Sequence, residues 1–500
     1  MFLKSYVNRN KLLVFSVLLI LIFSLGMILF TEAVFQLTSV LSAWIRSLFG
    51  RYYLWLGLGC VLLLCGLALS PLGSKRIGKA TDRPEHSRWS WIAMLYSAGM
   101  GAGVLLRAVQ EPVYMFLNPP VSTGEPAPVV ALEYTFYQWG LTAWAFYALF
   151  ALIIGYAFFT KGKLILVSAA VENQVRNKRI LKTIDLLVIL TTVIGVVAAI
   201  CLGTTQITGG LSFLSKYDLG IETNITFLIL IMTLAFISVW SGLNRGIKSI
   251  SNFNILLTLS LLFFTMVMGD MSGILISFFN SLWEYIKDFI LLSLAWGDYN
   301  PGEVFLKDWT YYYWAFWISW APFTGVFIAR ISKGRTIREF VLGVMIIPSL
   351  ASFFWFSVFG HTAMSLITEW GSYSGQFSDE FSSIFVFFSF LPFDFVINPL
   401  IIILLIGFLV TSVDSAVYVL SMFSDRGVTD PNKKHRLLWS VLMALTGIGL
   451  LILSNVRQEI DVLNILQIML IVTSLPFSFF IPYITFHFVR ELSTKKLSDK

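Results

Sequence analysis

Charge is scarce in this sequence. Asp, Glu, Lys and Arg together make up 13% of 500 residues, about half the share found in soluble domains. A soluble fold of this length needs far more polar surface, so the composition points to a multi-span helical membrane protein. Cysteine is nearly absent. Cys60, Cys65 and Cys201 each lie in an apolar run, which makes neither a metal motif nor a disulfide framework. The four histidines, His86, His361, His435 and His487, are scattered. They offer no paired nucleophile and no metal-ligand spacing, so no enzyme and no cofactor is expected. No low-complexity linker and no soluble domain interrupts the chain.

What is present is a series of apolar runs, near 12–30, 52–70, 89–117, 136–160, 184–213, 224–241, 250–269, 309–329, 340–368, 396–421, 437–454 and 462–488. Helices are the default for such runs, because lipid offers backbone groups no partners. The first run carries no charge and no small-x-small site follows it. It reads as a true span and not as a cleaved signal. The charges between the runs alternate. With the N-terminus in the cytoplasm, inside segments hold 28 of the 35 Lys and Arg residues. Outside loops hold six, Arg46, Arg51, Lys216, Lys287, Lys307 and Arg457, and Arg107 is left over within a span. That bias predicts twelve spans, both ends cytoplasmic, in the cell membrane. The net charge of +7 is then topogenic, and no nucleic-acid partner is expected. Residues 271–308 mix apolar residues with Glu284, Lys287 and Asp288. Two readings stand open for them: an amphipathic helix along the outer interface, or a packed loop.

Several spans carry unusual residues. The third contains "SAGMGAG", with Gly99, Gly101 and Gly103 alternating in an apolar stretch. Small residues allow close helix packing; they also permit a broken span whose freed backbone lines a binding site. The fourth carries "QWGLTAWAFY", in which Trp144 and Tyr147 share a helical face and Trp139 lies some 140° from Trp144. The eighth carries "WTYYYWAFWISWAPF". Trp309 fits an interface anchor, whereas Trp317 and Trp320 lie deeper. Indole and phenol faces can cage a quaternary ammonium, at about 0.5–2 kcal/mol per face; ordinary core packing is the alternative. The tenth ends "GFLVTSVDSAVY", a cluster of Thr411, Ser412, Asp414 and Ser415. Such hydroxyls bond back to their own helix or complete an oxygen shell for a hard cation.

The stretch "WTYYYWAFWISWAPFTGVFIARISKGRTIREF" (309–340), together with "AGMGAG", Glu111–Pro112, "WGLTAWAFY" and "VTSVDSA", resembles the signature of the betaine/choline/carnitine transporter family. The resemblance covers nearly the whole chain at matching span positions. It implies an all-α fold of twelve transmembrane helices with a LeuT-type five-plus-five inverted repeat preceded by two extra helices. On that basis the chain divides into residues 1–88 (N-terminus and two peripheral spans), 89–270 (first repeat), 271–308 (external loop), 309–489 (second repeat) and 490–500 (a short cytoplasmic tail). A homotrimer is implied as well. The family's aromatic box maps to Trp139, Trp144, Tyr147 and Trp317, with Trp320 beside the substrate path and Phe316 where relatives often have tryptophan. The glycines Gly99, Gly101 and Gly103 would border the substrate. A sodium site maps to the backbone of Ser97, Met100 and Phe408 and the hydroxyls of Thr411 and Ser412. A second sodium site maps to Thr192 and Phe323, but Val196 replaces an oxygen ligand there, so one ion, or help from Thr191, is the expectation.

Arg107 departs from the family pattern. An arginine this deep costs roughly 3 kcal/mol on insertion scales. Glu111 follows at the fourth position, so an intrahelical pair is one reading. A clamp on a substrate carboxylate is another, and a tie to another span is the third. The function implied is a secondary transporter that imports a small quaternary-ammonium zwitterion such as glycine betaine with sodium. Alternatives are choline or carnitine transport, sodium-independent exchange, and proton coupling through Glu111 or Asp414. An ion channel would conduct continuously, without saturable accumulation. Osmotic activation through the tail is not expected, because only about eleven residues follow the last span.

Overall fold

The computed structural model describes residues 10–99, 101–241, 244–456 and 461–494, without the side chains of 96–99, 241 and 244–248. Among the described residues there is no β-strand, and helices follow one another throughout. Ten of them are long and apolar enough to cross a membrane. The two remaining sequence-predicted spans are the third and the eighth. The third is broken into short helices, and the eighth, Tyr311–Ile331, is dense in tyrosine and tryptophan, which lowers its hydropathy.

The first two helices are α1 (Lys11–Leu29) and α2 (Thr31–Leu69). The sequence places a loop from about 31 to 51, but α2 already runs through it. Its charges are met from across the fold. Arg46 lies 3.6 Å from Asp308 and Arg51 lies 3.4 Å from Glu303, so polar residues there did not mark a turn. At about 1.5 Å per residue this helix is roughly 58 Å long, about twice a hydrocarbon core.

The third span is α3 (Arg88–Gly99), α4 (Ala102–Arg107) and α5 (Gln110–Leu117). Gly101 is extended, with φ −130° and ψ −169°, so the glycine-rich stretch does break the helix. A second looser turn falls at Ala108–Val109. The base of α3 is clamped to the opposite half of the chain. Ile77 N–H donates to the Arg335 carbonyl at 2.9 Å, Gly334 N–H donates to the Ile77 carbonyl at 2.7 Å, and Arg335 stacks on Trp91 at 4.3 Å.

The fourth span is likewise divided, into α6 (Ala127–Trp139) and α7 (Leu141–Gly155), at Gly140. An unbroken helix would bond the Leu141 amide to Tyr137 and the Gln138 carbonyl to Thr142. Here Leu141 N–H donates to the Tyr285 hydroxyl at 3.2 Å, and the Gln138 carbonyl accepts from Trp317 Nε1 at 2.9 Å. A Cβ at Gly140 would sit 2.5 Å from the Phe136 carbonyl oxygen and 2.5 Å from the Phe353 ring. Gly140→Val is therefore expected to lower stability by about 1–3 kcal/mol, read as a lower midpoint in thermal unfolding of the purified protein.

The fifth to seventh spans are α8 (Lys178–Ser215), α9 (Ile221–Ser241) and α10 (Asn244–Met268). Residues 271–294 then form a helix, α11 (Met271–Leu294), capped by Asp270. Its buried face, with Ile274, Tyr285, Phe289 and Leu292, packs on α2, α6 and α13. The second half holds α12 (Tyr311–Ile331), α13 (Ile337–Trp370), the short α14 (Ser383–Ser389), α15 (Asp394–Ser424), α16 (Lys433–Ser454), α17 (Val462–Ser478) and α18 (Phe480–Thr494). The most extensive helix pairing is α7 with α12. That pairing brings the aromatic residues of the fourth and eighth spans together.

Candidate functional site

Aromatic residues on α12 follow one another at four-residue intervals, which stacks them along one helical face. Two ladders result. Trp309, Tyr313 and Trp317 have successive centroid separations of 6.4 and 6.0 Å, and Tyr312, Phe316 and Trp320 have separations of 6.2 and 5.8 Å. The α6–α7 break turns Trp139 toward the first ladder. Its ring lies 5.7 Å from Tyr313, 5.2 Å from Trp317 and 5.1 Å from Phe356. Tyr147 meets Trp317 edge-on at 6.0 Å.

These rings border a tight cavity of about 70 Å³, smaller than most small-molecule sites, which run to about 300–1,000 Å³. Trp139, Tyr147, Trp317, Trp320, Gly101, Gly103, Arg107 and Ser412 all line it. Trp144 does not line it and packs behind Tyr147, edge-on at 5.6 Å. Three indole N–H groups nearby are fixed by backbone carbonyls. Trp317 bonds to Gln138 as above, Trp320 Nε1 donates to the Gly195 carbonyl at 2.9 Å, and Trp355 Nε1 donates to the Val104 carbonyl at 3.2 Å. With their polar edges held, the ring faces are left to bound whatever enters.

Arg107 is 4% exposed and reaches the cavity wall. The pair with Glu111, one of the three readings, is not present as a direct ion pair among the described residues. Arg107 Nη1 donates to Gln110 Oε1 at 2.5 Å and to Glu380 Oε2 at 3.5 Å, and its guanidinium lies 5.3 Å from the Trp309 ring centre. The backbone at Ala108–Val109 stays right-handed helical, and Arg107 uses that helical register to reach Gln110 three residues on. Trp309, read from the sequence as an interface anchor, also lies beside the Arg107 guanidinium. Glu111 is engaged elsewhere: its Oε2 accepts from Trp139 Nε1 at 3.2 Å and from the Tyr313 hydroxyl.

Glu380 lies in the loop between α13 and α14. Burial raises its carboxyl to about 6, against the opposing pull of Arg107. The pair is thus fully charged above that pH and weakens below it as the carboxyl takes up a proton. The same loop is seated on α8, where a Cβ at Gly209 would lie 3.0 Å from the Phe381 Cβ.

Among the residues mapped to sodium sites, Met100 and the side chain of Ser97 lie outside the described residues. The Thr411 hydroxyl donates to the carbonyls of Gly407 at 3.0 Å and Phe408 at 3.1 Å. Thr192 is fully buried, and its hydroxyl has no hydrogen-bond partner among the described residues. Thr191 is committed to the Thr473 carbonyl at 3.1 Å, and Val196 lines the aromatic cavity. Phe323 belongs to a second, wider cavity of about 670 Å³, together with Asp414 and Ser415. Trp320 and Phe323, 5.6 Å apart, stand between the two cavities. Asp414 is hydrogen-bonded with Ser238 on α9.

Sequence reasoning missed Tyr312, Tyr313, Gln110 and Glu380. The four-residue ladder from Trp317 back to Tyr313 and from Trp320 to Tyr312 was a usable signal for the tyrosines. Nothing local marked Glu380, which lies 273 positions from Arg107.

The model of the betaine/carnitine/choline transporter family matches residues 11–497. The chain is 36% identical over 465 residues to the glycine betaine transporter OpuD of Bacillus subtilis, covering 92% of this chain and 89% of that protein. It is 33% identical to the ectoine/hydroxyectoine transporter of Virgibacillus pantothenticus, covering 89% of each. It is 31% identical to a glycine betaine/proline/choline transporter of Vibrio parahaemolyticus, covering 98% of this chain and 92% of that protein. These proteins are transporters and not enzymes, and a match of this extent, on a bundle of membrane-length helices around one aromatic cavity, places the chain in the betaine/carnitine/choline family of membrane transporters.

Proposed function

We propose that the protein imports a quaternary-ammonium zwitterion of the glycine betaine type, driven by sodium. The observation that carries this reading is the presence of Trp139, Tyr147, Trp317 and Arg107 on the wall of one cavity. Ring faces suit a methylated ammonium, which gives up no hydrogen bonds on entry. Both contacts of Arg107 use Nη1, and a guanidinium has five donors, so capacity remains for a substrate carboxylate. A substrate with a cation at one end and a carboxylate at the other fits both features. The name of the ectoine relative makes that cyclic zwitterion a natural competitor to include.

In this reading both termini are cytoplasmic, Arg107 and Glu380 close the outer end, and the second cavity is the inward vestibule beyond Trp320 and Phe323. The two repeats rock about the cage, and substrate and ion each favour closure by binding the closed state more tightly. Assembly as a trimer is part of the same proposal. The sodium ion would sit by Thr411 and Ser412. The Thr411 hydroxyl spends its proton on neighbouring carbonyls, which leaves its oxygen as an acceptor for a hard cation. The Thr411→Val/Ser412→Ala variant is expected to raise the sodium concentration for half-maximal uptake by about tenfold or more, with little change in unfolding temperature. Sodium dependence unchanged in that variant would remove the ion from this position.

A further inference from the structure

We propose that Glu111 is a specificity-determining counter-charge, acting on the cationic end of the substrate from behind the rings of Trp139 and Tyr313. The proposal rests on the substrate class inferred above and adds a residue that sequence reasoning assigned only to pairing with Arg107 or to proton transfer. Glu111 is completely buried. One carboxylate oxygen accepts from two rings of the cavity wall, the indole N–H of Trp139 and the phenol of Tyr313. The other oxygen, Oε1, has no partner among the described residues. Arg107 lies within electrostatic reach of Glu111, but its direct contacts are with Gln110 and Glu380, so no hydrogen bond from it satisfies Oε1.

A buried carboxylate with one oxygen unpaired is costly. A role limited to holding two donors needs only an acceptor oxygen, which glutamine also supplies. The charge itself gains a purpose when a cation enters the cavity on the far side of those rings. Accepting from an indole N–H and a phenol also makes the ring faces more electron-rich, which strengthens their attraction for a cation. The broken third span thus sets two opposite charges about one cavity. Arg107 is on its wall, and Glu111 lies one ring's depth behind it. A zwitterion aligned between them is matched at both ends.

Glu111→Gln tests this, because it keeps an acceptor for both donors and removes only the charge. Wild type and variant, in proteoliposomes, would be compared for inhibition of labelled glycine betaine uptake by three compounds. These are unlabelled glycine betaine, choline, and the uncharged choline isostere 3,3-dimethyl-1-butanol. In Glu111→Gln, choline is expected to weaken about tenfold, glycine betaine about threefold, and the isostere less than about twofold. Equal changes for choline and its isostere would overturn the proposal and leave Glu111 as a support for the rings. If the glutamine variant does not reach the folded form, Glu111→Asp keeps the charge but withdraws it. Choline should then weaken about threefold relative to the isostere, and no difference between them would again count against the proposal. Failure of the wild type to take up glycine betaine at all would instead bring down the substrate class, and this inference with it.

Discussion

Replacing Trp317 by leucine is expected to weaken glycine betaine binding about thirtyfold, corresponding to roughly 2 kcal/mol for one desolvated ring face. Trp317 is the hub of the cage. It stacks with Tyr313 and meets Trp139, Tyr147 and Phe316. Its N–H also occupies the Gln138 carbonyl at the break between α6 and α7. Leucine leaves that buried carbonyl unpaired, a further cost of about 1–3 kcal/mol that falls on stability. Trp317→Phe separates the two effects. It loses the same hydrogen bond but keeps an aromatic face, so it should share the drop in unfolding temperature while losing only a few-fold in affinity. Binding titrations read alongside thermal unfolding give the comparison. Equal affinity losses in the two variants would mean that the ring face does not bind the ammonium.

Arg107→Gln carries the second large effect, and it acts on two properties at once. Removing the guanidinium leaves Glu380, 12% exposed at its side chain, as an uncompensated charge. Breaking a buried pair in this way typically costs about 3–5 kcal/mol. The double variant Arg107→Gln/Glu380→Gln removes both charges and should recover most of that stability. Affinity for a zwitterion should not recover. Loss of a charge-assisted contact to the carboxylate is worth about 1.5–3 kcal/mol, or roughly ten- to a hundredfold. Choline, which has no carboxylate, should be spared or bind better. If the double variant binds glycine betaine as the wild type does, Arg107 is a structural strut between the third span and the loop before α14.

Ten of the twelve expected spans were legible as long apolar helices, because lipid leaves a backbone few options. The cage was legible in part. Trp317 and Trp320 stand out as aromatics too deep for anchors, Trp139 and Tyr147 came from the family resemblance, and all four line one cavity. Trp144, mapped with them, packs one layer behind. The failures have physical causes. Pairing Arg107 with Glu111 was one reading of their spacing, but buried partners on other segments, Glu380 for the one and Trp139 and Tyr313 for the other, take up the two side chains. Glu380 was invisible because its partner is 273 positions away and its loop has no pattern of its own. The early start of α2 was missed because Arg46 and Arg51 read as loop charges, although acidic residues before α12 neutralise them. The reach of Tyr312 and Tyr313 into the site was present in the four-residue spacing and needed only the face of α12 to be followed back from Trp317.

The most direct measurement is uptake of labelled glycine betaine into proteoliposomes with an inward sodium gradient, with potassium replacing sodium as the control. The account predicts saturable accumulation above the external concentration that requires sodium and is competed by other methylated ammonium zwitterions. No glycine betaine uptake by folded protein would contradict the substrate class. Accumulation that proceeds equally without sodium would contradict the coupling.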